Sequence, residues 1–283
     1  MANITAKTML LTLQSHSKLN NGVEIPLLGL GVYQSPPGKT TERAVSYALK
    51  IGYRHIDTAS IYGNESDVGN ALRQSGLHRE EVFITTKVWN SDQGYVTTLQ
   101  SCERSLRRLG LAYVDLYLIH WPVQGMSIET WKAMLELLQE GKARAIGVSN
   151  YTIGDLQDIF QNSKGDRVVV PAVNQVEFHP FLYQNELLQF CKNNNIQLEA
   201  YSPLTRAKRL NHPTIVAIAK KYSKTAAQVL IRWSLQHDVV VIPKSIHQDR
   251  IRENSQVFDF HLELEDMSLL DSLNENLQTV FLD

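Results

Sequence analysis

Cysteine is scarce: Cys102 and Cys191 are the only two in 283 residues. Two cannot form a framework of cross-links, so both are expected to be reduced thiols of an intracellular, cytoplasmic protein. Charge of one sign is lacking too. With 28 basic and 29 acidic residues the formal net charge is −1, which provides no global field to attract nucleic acid or an anionic membrane surface. No run of about 18 apolar residues occurs, so no membrane span is expected. The N-terminus shows no basic stretch leading into a secretory apolar run. The last residues, Phe281-Leu282-Asp283, are not a peroxisomal signal. His-Glu-x-x-His and paired Cys-x-x-Cys clusters are missing, which leaves a catalytic metal without support. So is the Tyr-x-x-x-Lys spacing of short-chain dehydrogenases. The one local basic cluster, Arg104, Arg107 and Arg108, sits in a helical pattern and reads as a solvated face.

What the chain does contain is alternation. Residues 1–7 are polar and expected to fray. Met9 to Leu13 and Val23 to Pro26 flank Asn21-Gly22, whose residues tolerate the positive φ of a tight turn, so a small N-terminal hairpin is expected. Short apolar strands then alternate with helical patterns. The strands are read at Leu27–Val32, Tyr53–Asp57, Val82–Lys87, Val114–His120, Ala145–Ser149, the second half of Val168–Phe178, Ile196–Tyr201 and Val239–Ile242. Helices are read between them, the first over Thr40–Ile51 with Thr40 or Thr41 as N-cap. Pro213–Tyr222, Ala226–His237, Gln248–Asn254 and Glu265–Leu273 add helices near the C-terminus. Eight such units in about 250 residues match a (β/α)8 TIM barrel. An open doubly wound sheet would carry fewer strands and a glycine-rich phosphate loop. Gly29 and Gly31 lack the third glycine of that loop, and they suggest instead a close backbone approach, with a ligand as one candidate. No linker divides the chain, so residues 1–283 are read as one domain.

In such barrels the chemistry gathers at the C-terminal ends of the strands. Those ends here carry Asp57, Lys87, His120, Ser149-Asn150, Gln175, Tyr201-Ser202 and Lys244-Ser245, with Tyr62 five residues after Asp57. Turns are polar, so one or two of these need no functional account. A lysine closing Phe-Ile-Thr-Thr-Lys and a histidine closing Leu-Tyr-Leu-Ile-His do need one. Asp57 would hold the Lys87 ammonium charged and oriented. A cation beside Tyr62 would lower the phenol pKa and make it a general acid. A neutral His120 could donate a hydrogen bond to a carbonyl. Such a site lacks only a hydride source.

Gly-Tyr-Arg-His-Ile-Asp-Thr-Ala, Thr-Lys-Val-Trp, Asp-Leu-Tyr-Leu-Ile-His-Trp-Pro, Gly-Val-Ser-Asn, Asn-Gln-Val-Glu-Phe-His-Pro, Tyr-Ser-Pro-Leu and Ile-Pro-Lys-Ser resemble the aldo-keto reductase family. The likeness runs from about Leu27 to about Leu273. It implies a monomeric barrel that uses NADPH to reduce aldehydes or ketones. Asp57, Tyr62, Lys87 and His120 would be its catalytic tetrad, with Tyr62 as proton donor. Ser149, Asn150 and Gln175 would meet the nicotinamide carboxamide, and Tyr201 would stack on the ring. Ser202 and Leu204 would line the pyrophosphate path. Lys244, Ser245 and Arg250 would hold the 2′-phosphate, which suits paired cations without a competing acid. Glu253 and Asn254 would lie at the adenine. Tyr33, Trp89 and Trp121, with His120, would wall the substrate pocket; the less favoured alternative is that the tryptophans merely plug the barrel mouth.

Short connections after His120-Trp121-Pro122 and after Leu204 resemble the microbial and protozoan branch of the family. That branch includes diketogluconate and methylglyoxal reductases and prostaglandin F synthases. Small carbonyls, quinones and prostaglandin H2 are the implied substrates. The role of His247 and the unusual tail from Asn274 onward are left open. Two other classes fit the same residues: a Schiff-base aldolase with Lys87 as nucleophile, and a non-catalytic NADPH-binding subunit.

Overall fold

The computed structural model describes residues 11–162 and 169–281. The expectations for residues 1–7, Met9, Val168, Leu282 and Asp283 lie outside these. Strands β1 (His16–Lys18) and β2 (Glu24–Pro26) form an antiparallel hairpin around the Asn21-Gly22 turn. The first strand falls a few residues later than the apolar run suggested, because Leu19 and Ile25 are the residues that become buried.

Eight parallel strands follow: β3 (Leu30–Gly31), β4 (His55–Asp57), β5 (Phe83–Val88), β6 (Val114–Ile119), β7 (Ala143–Ser149), β8 (Val173–Glu177), β9 (Gln197–Tyr201) and β10 (Val240–Val241). They pair strictly in sequence order. Parallel bridges from Leu28 to Val241 and from Gly31 to Lys244 bring the two ends together, which closes a TIM barrel. β5 and β6 are buried along their whole length, as strands covered on both faces must be.

Ten helices wrap the described part of the barrel: α1 (Lys39–Lys50), α2 (Glu65–Ser75), α3 (Tyr95–Leu109), α4 (Ser127–Gln139), α5 (Ile153–Asn162), α6 (Asn185–Asn193), α7 (Pro213–Lys221), α8 (Ala226–Gln236), α9 (Gln248–Ser255) and α10 (Leu264–Asp271). In α3 the buried positions Thr98, Ser101, Cys102, Ser105, Leu106 and Leu109 recur every three or four residues, which is the inner stripe of an amphipathic helix. The N-cap of α1 is Gly38 rather than either threonine. Thr41 instead donates its hydroxyl to the Pro36 carbonyl and shares a hydrogen bond with Ser35 Oγ, both at 2.7 Å.

The period-two pattern of the strands divides the bore into layers. Toward the N-terminal end Phe83, Leu116, Leu118, Val173 and Val240 pack with Leu19 and Ile25 of the hairpin into an apolar plug. Further along β4, β5, β8 and β9 the inward side chains become polar: His55 and Asp57, Thr85 and Lys87, Gln175, Glu199. This layer is buried throughout. The two early glycines serve the barrel itself. A Cβ on Gly29 would stand 2.7 Å from the His55 ring, and one on Gly31 would stand 2.9 Å from the Ile242 carbonyl. The close approach foreseen there is therefore to protein.

Candidate active site

The polar layer opens into a cleft of about 700 Å³ at the C-terminal ends of the strands. On its floor Lys87 Nζ donates to Asp57 Oδ1 at 2.6 Å, to Asp57 Oδ2 at 2.8 Å and to the Thr58 carbonyl at 2.9 Å. All three ammonium hydrogens are thus taken. The loop after β4 returns as a single 3-10 turn, Ser60–Tyr62, and brings the Tyr62 hydroxyl to 3.4 Å from His120 Nε2. Tyr33 lies at 5.1 Å from the Tyr62 ring and Trp89 at 5.0 Å from the His120 ring, centroid to centroid. The expected group of four is brought together, and Tyr33, Trp89 and Trp121 all line the same cleft. Gln93, itself buried, fixes Trp121 by donating to its carbonyl at 2.7 Å.

The electrostatics differ from the expectation in one respect. Tyr62 is not driven toward phenolate: burial raises its pKa well above the ordinary value, and the charge of Asp57 adds to this. The Lys87 charge is already spent on both Asp57 oxygens, and the ammonium lies 5.3 Å from the Tyr62 ring centroid rather than on its hydroxyl. His120 behaves as foreseen. Burial first, and Lys87 second, hold its pKa well below the ordinary value, so the imidazole is neutral. A neutral phenol and a neutral imidazole pointed into a cleft can hydrogen-bond one carbonyl oxygen and supply it with a proton.

Ser149, Asn150, Gln175 and Tyr201 form the adjoining wall as a connected network. Tyr201 donates its hydroxyl to Asn150 Oδ1 at 2.8 Å, and Asn150 Nδ2 donates to the His120 carbonyl at 3.0 Å. Ser149 donates to the Gln175 carbonyl at 2.8 Å. Gln175 Nε2 donates both to Asp57 Oδ2 and to Glu199 Oε2 at 2.8 Å, which ties this wall to the floor. Asn150 holds φ at 64°, a left-handed conformation that asparagine tolerates.

Ser202, Leu204 and Lys244 continue the cleft. Ser245, Arg250, Glu253 and Asn254 are not on its lining; they follow on the turn before α9 and on α9 itself. Among the described residues Lys244 and Arg250 meet no carboxylate, unlike Lys39, Arg79 and Lys221. Two such cations beside a helix N-terminus suit a phosphate. His247 is the N-cap of α9, and its backbone N–H donates to Ser245 Oγ at 3.1 Å. Glu253 accepts from Thr225 at 2.8 Å, and Asn254 is buried.

Several lining residues were not singled out in the sequence: Gln34, Ile61, Arg206, Val280 and Phe281. The chain tail folds back over the cleft because buried Glu177 accepts the Thr279 N–H at 2.9 and 3.0 Å and the Val280 N–H at 3.1 Å. Arg206 then links the Thr279 carbonyl to Gln34 Oε1 at 3.2 and 3.0 Å. The acid in Asn-Gln-Val-Glu-Phe-His-Pro was the available signal, since a glutamate ending a buried strand needs partners.

The remaining assignments are structural. Cys102 and Cys191 are buried and unpaired, and burial pushes both thiols up to about 12. The basic cluster on α3 is not purely solvated, because Arg108 donates to buried Glu65 at 2.6 Å. No helix among the described residues is long and apolar enough to cross a membrane.

The family model described as "Aldo/keto reductase family" matches residues 28–275. A glyoxal reductase of Bacillus subtilis is 51% identical over 265 residues, covering 94% of this chain and 95% of the relative. A 9,11-endoperoxide prostaglandin H2 reductase of Trypanosoma cruzi is 51% identical over 261 residues, covering 91% of each. A solved aldo-keto reductase complexed with NADPH superposes with a TM-score of 0.88 at 36% identity, over 94% of this chain and 90% of that one.

Proposed function

The chain belongs to the aldo/keto reductase family and is an NADP-dependent oxidoreductase that reduces carbonyl compounds; we propose that it does so with Tyr62 as proton donor, on aldehydes and dicarbonyls of glyoxal type. The observation that supports this most is the Tyr62 hydroxyl 3.4 Å from His120 Nε2 above the Asp57–Lys87 pair, at the floor of an aromatic-walled cleft.

The residues present fit the cofactor. The cleft is lined from Trp89 and Trp121 past Tyr201 to Lys244, and Lys244, with Arg250 beyond the lining on α9, supplies cations of the kind the extra phosphate would need. When bound, NADPH supplies the hydride for the carbonyl carbon. Ser149, Asn150 and Gln175 would orient the nicotinamide carboxamide, Tyr201 would face its ring, and Ser202 and Leu204 would border the pyrophosphate. Ser245 would join the phosphate clamp, with Glu253 and Asn254 on the adenine side.

The protein's own part is then positional and acid–base. His120 and Tyr62 direct their hydrogens at the carbonyl oxygen and concentrate its polarisation where negative charge develops. Tyr62 releases its proton to that oxygen as the alcohol forms. The Lys87 ammonium, 5.3 Å from the Tyr62 ring centroid, would offer the phenolate left behind a distant charge and no hydrogen bond, and Asp57 keeps it in place. Tyr33, Trp89, Trp121, Ile61 and Phe281 exclude water and favour apolar substituents. All of these come from one copy of the chain, so a monomer suffices.

A Schiff-base role for Lys87 fits poorly. The side chain is fully buried, and its three hydrogens are committed to Asp57 and Thr58, so it has no free lone pair for a carbonyl. The deciding experiment is a steady-state panel of glyoxal, methylglyoxal, aromatic aldehydes, quinones and prostaglandin H2, followed by loss of NADPH absorbance. Aldehyde-dependent turnover is expected. Silence across the panel would sink the reading.

A further inference from the structure

Beneath the tetrad the barrel holds a second ionisable pair that carbonyl reduction, as derived above, does not use. Glu199 on β9 and His55 on β4 are both 0% exposed. Glu199 Oε2 accepts from Gln175 Nε2 at 2.8 Å, and the other hydrogen of that nitrogen goes to Asp57 Oδ2, also at 2.8 Å. Glu199 Oε1 has no hydrogen-bond partner and lies 3.5 Å from His55 Nε2. The same His55 nitrogen is 3.2 Å from Thr85 Oγ1. The ionisable groups facing Glu199 are therefore His55 and Asp57 from β4 and Lys87 from β5. β8 offers the neutral Gln175, and β10 only Val240 and Val241.

This inventory contains one committed cation. Lys87 is already saturated by Asp57 and Thr58. A second anion at Glu199 would be buried without a counter-ion, which is among the costliest arrangements in a protein interior. A protonated His55 would be equally unfavourable. One proton on the pair, carried by the carboxyl, leaves both members neutral. Burial works the same way on each: it pushes His55 down to about 3 and Glu199 up to about 8, with Asp57 the next contributor at Glu199.

We infer that Glu199 is a positioning residue for the reaction: it and Asp57 clamp the Gln175 amide from two sides, and its shared proton keeps a second negative charge away from Tyr62 until the medium is alkaline. With the Gln175 nitrogen bound between two carboxyls, the amide oxygen is the end left for the cleft, so the clamp selects which group the cofactor meets. Ionisation of Glu199 then acts on Tyr62 through charge. It opposes phenolate formation, and because carbonyl reduction ends on the phenolate and alcohol oxidation starts from it, the two directions are slowed together. This rests on the assignment of Tyr62 as the acid.

The test uses Glu199→Gln, which keeps shape and hydrogen bonding but cannot ionise. The pH profile of kcat/KM is measured for alcohol oxidation and for aldehyde reduction. Removing the charge should raise kcat/KM by a common factor of several-fold in both directions above about pH 8, where wild-type Glu199 ionises, and leave both profiles in place below it. In the cofactor-free wild type, infrared difference spectra between about pH 6 and about pH 10 should show the C=O stretch of a protonated glutamate that Glu199→Gln lacks. Coincident oxidation profiles in the two proteins, or no such band in the wild type, would overturn the inference. If Glu199→Gln does not fold, carbon-13 labelling of glutamate in the wild type assigns the band instead. A wild type with no turnover of any carbonyl would defeat the reductase reading, and the infrared band would still decide the state of Glu199.

Discussion

The Tyr62 hydroxyl stands 3.4 Å from His120 Nε2, and burial drives the two groups in opposite directions, the phenol up and the imidazole down. Both directions lead to neutrality. In a water-poor cleft neutral groups are cheap to keep, and two neutral donors facing one oxygen need no reorganisation when charge develops on it. In the proposed mechanism the proton comes from the phenol, because the imidazole, held below its ordinary range, carries no extra proton to give.

Tyr62→Phe should therefore lower turnover by about 10²–10⁴-fold. The ring keeps its contacts with Tyr33 and His120, so NADPH affinity, read from quenching of protein fluorescence, should stay within about twofold. A variant with near-full activity would show that another group supplies the proton.

Lys244→Ala and Arg250→Ala each remove an unpaired cation. About tenfold weaker NADPH binding is expected for each, with NADH little affected, since a charge-assisted bond to phosphate contributes on the order of 1.5–3 kcal/mol. Paired titrations with both cofactors read this directly, and an equal loss for the two would dismiss the phosphate clamp.

The tail latch depends on the charge of Glu177. Burial works to raise that carboxyl, but hydrogen bonds from His179 and Thr279 outweigh it and leave the group below its ordinary range. A depressed carboxyl contributes stability above its unfolded pKa that is lost as pH falls through the folded value, so the latch should loosen in acid. At neutral pH, Glu177→Gln should speed amide hydrogen exchange at Thr279 and Val280 and raise KM several-fold for bulky apolar aldehydes, whereas kcat for small ones holds. Unchanged exchange at these two amides would mean that the tail is held by something else.

The buried pair under the site makes stability depend on pH in a distinctive way. His55 falls from 6.5 to about 3 on folding, and Glu199 rises from 4.5 to about 8. The lowered histidine makes stability rise with pH between about 3 and 6.5. The raised acid makes it fall between 4.5 and about 8. Where the windows overlap, folded and unfolded chains hold the same number of protons and the two slopes cancel. Glu199→Gln keeps only the histidine slope. Its stability relative to wild type should climb by up to ~1.4 kcal/mol per pH unit across the glutamate window of 4.5 to about 8 and stay level outside it. Urea melts at a series of pH values measure this, and a constant offset would contradict it.

The architecture was legible because every cue agreed. The spacing of apolar runs, the polar strand ends and the helical stripes all pointed to eight repeated units, and the strand bounds fell within a few residues of the expectation. Asp57, Lys87 and His120 could be picked out together, because polar strand ends are turns and one alone has a bland explanation, whereas the set is poorly explained that way. Helix caps were less readable. Thr41 had the right chemistry for an N-cap, but Ser35 and the Pro36 carbonyl had a stronger claim on its hydroxyl.

By itself the sequence determined the barrel, the rim on which the polar groups gather, and the identity of four of those groups, because residue period and strand-end chemistry are local properties. Tertiary structure alone decided which charges survive. Asp57 takes all that Lys87 offers except one bond to Thr58, so Tyr62 stays a phenol. Glu199, which lies in none of the quoted motifs, and His55, far away in the chain, meet at 3.5 Å inside the bore. Glu177 reaches 102 residues along the chain to fold the tail over the cleft. Ionisation depends on burial and on partners from other strands, and these exist only once the barrel has closed.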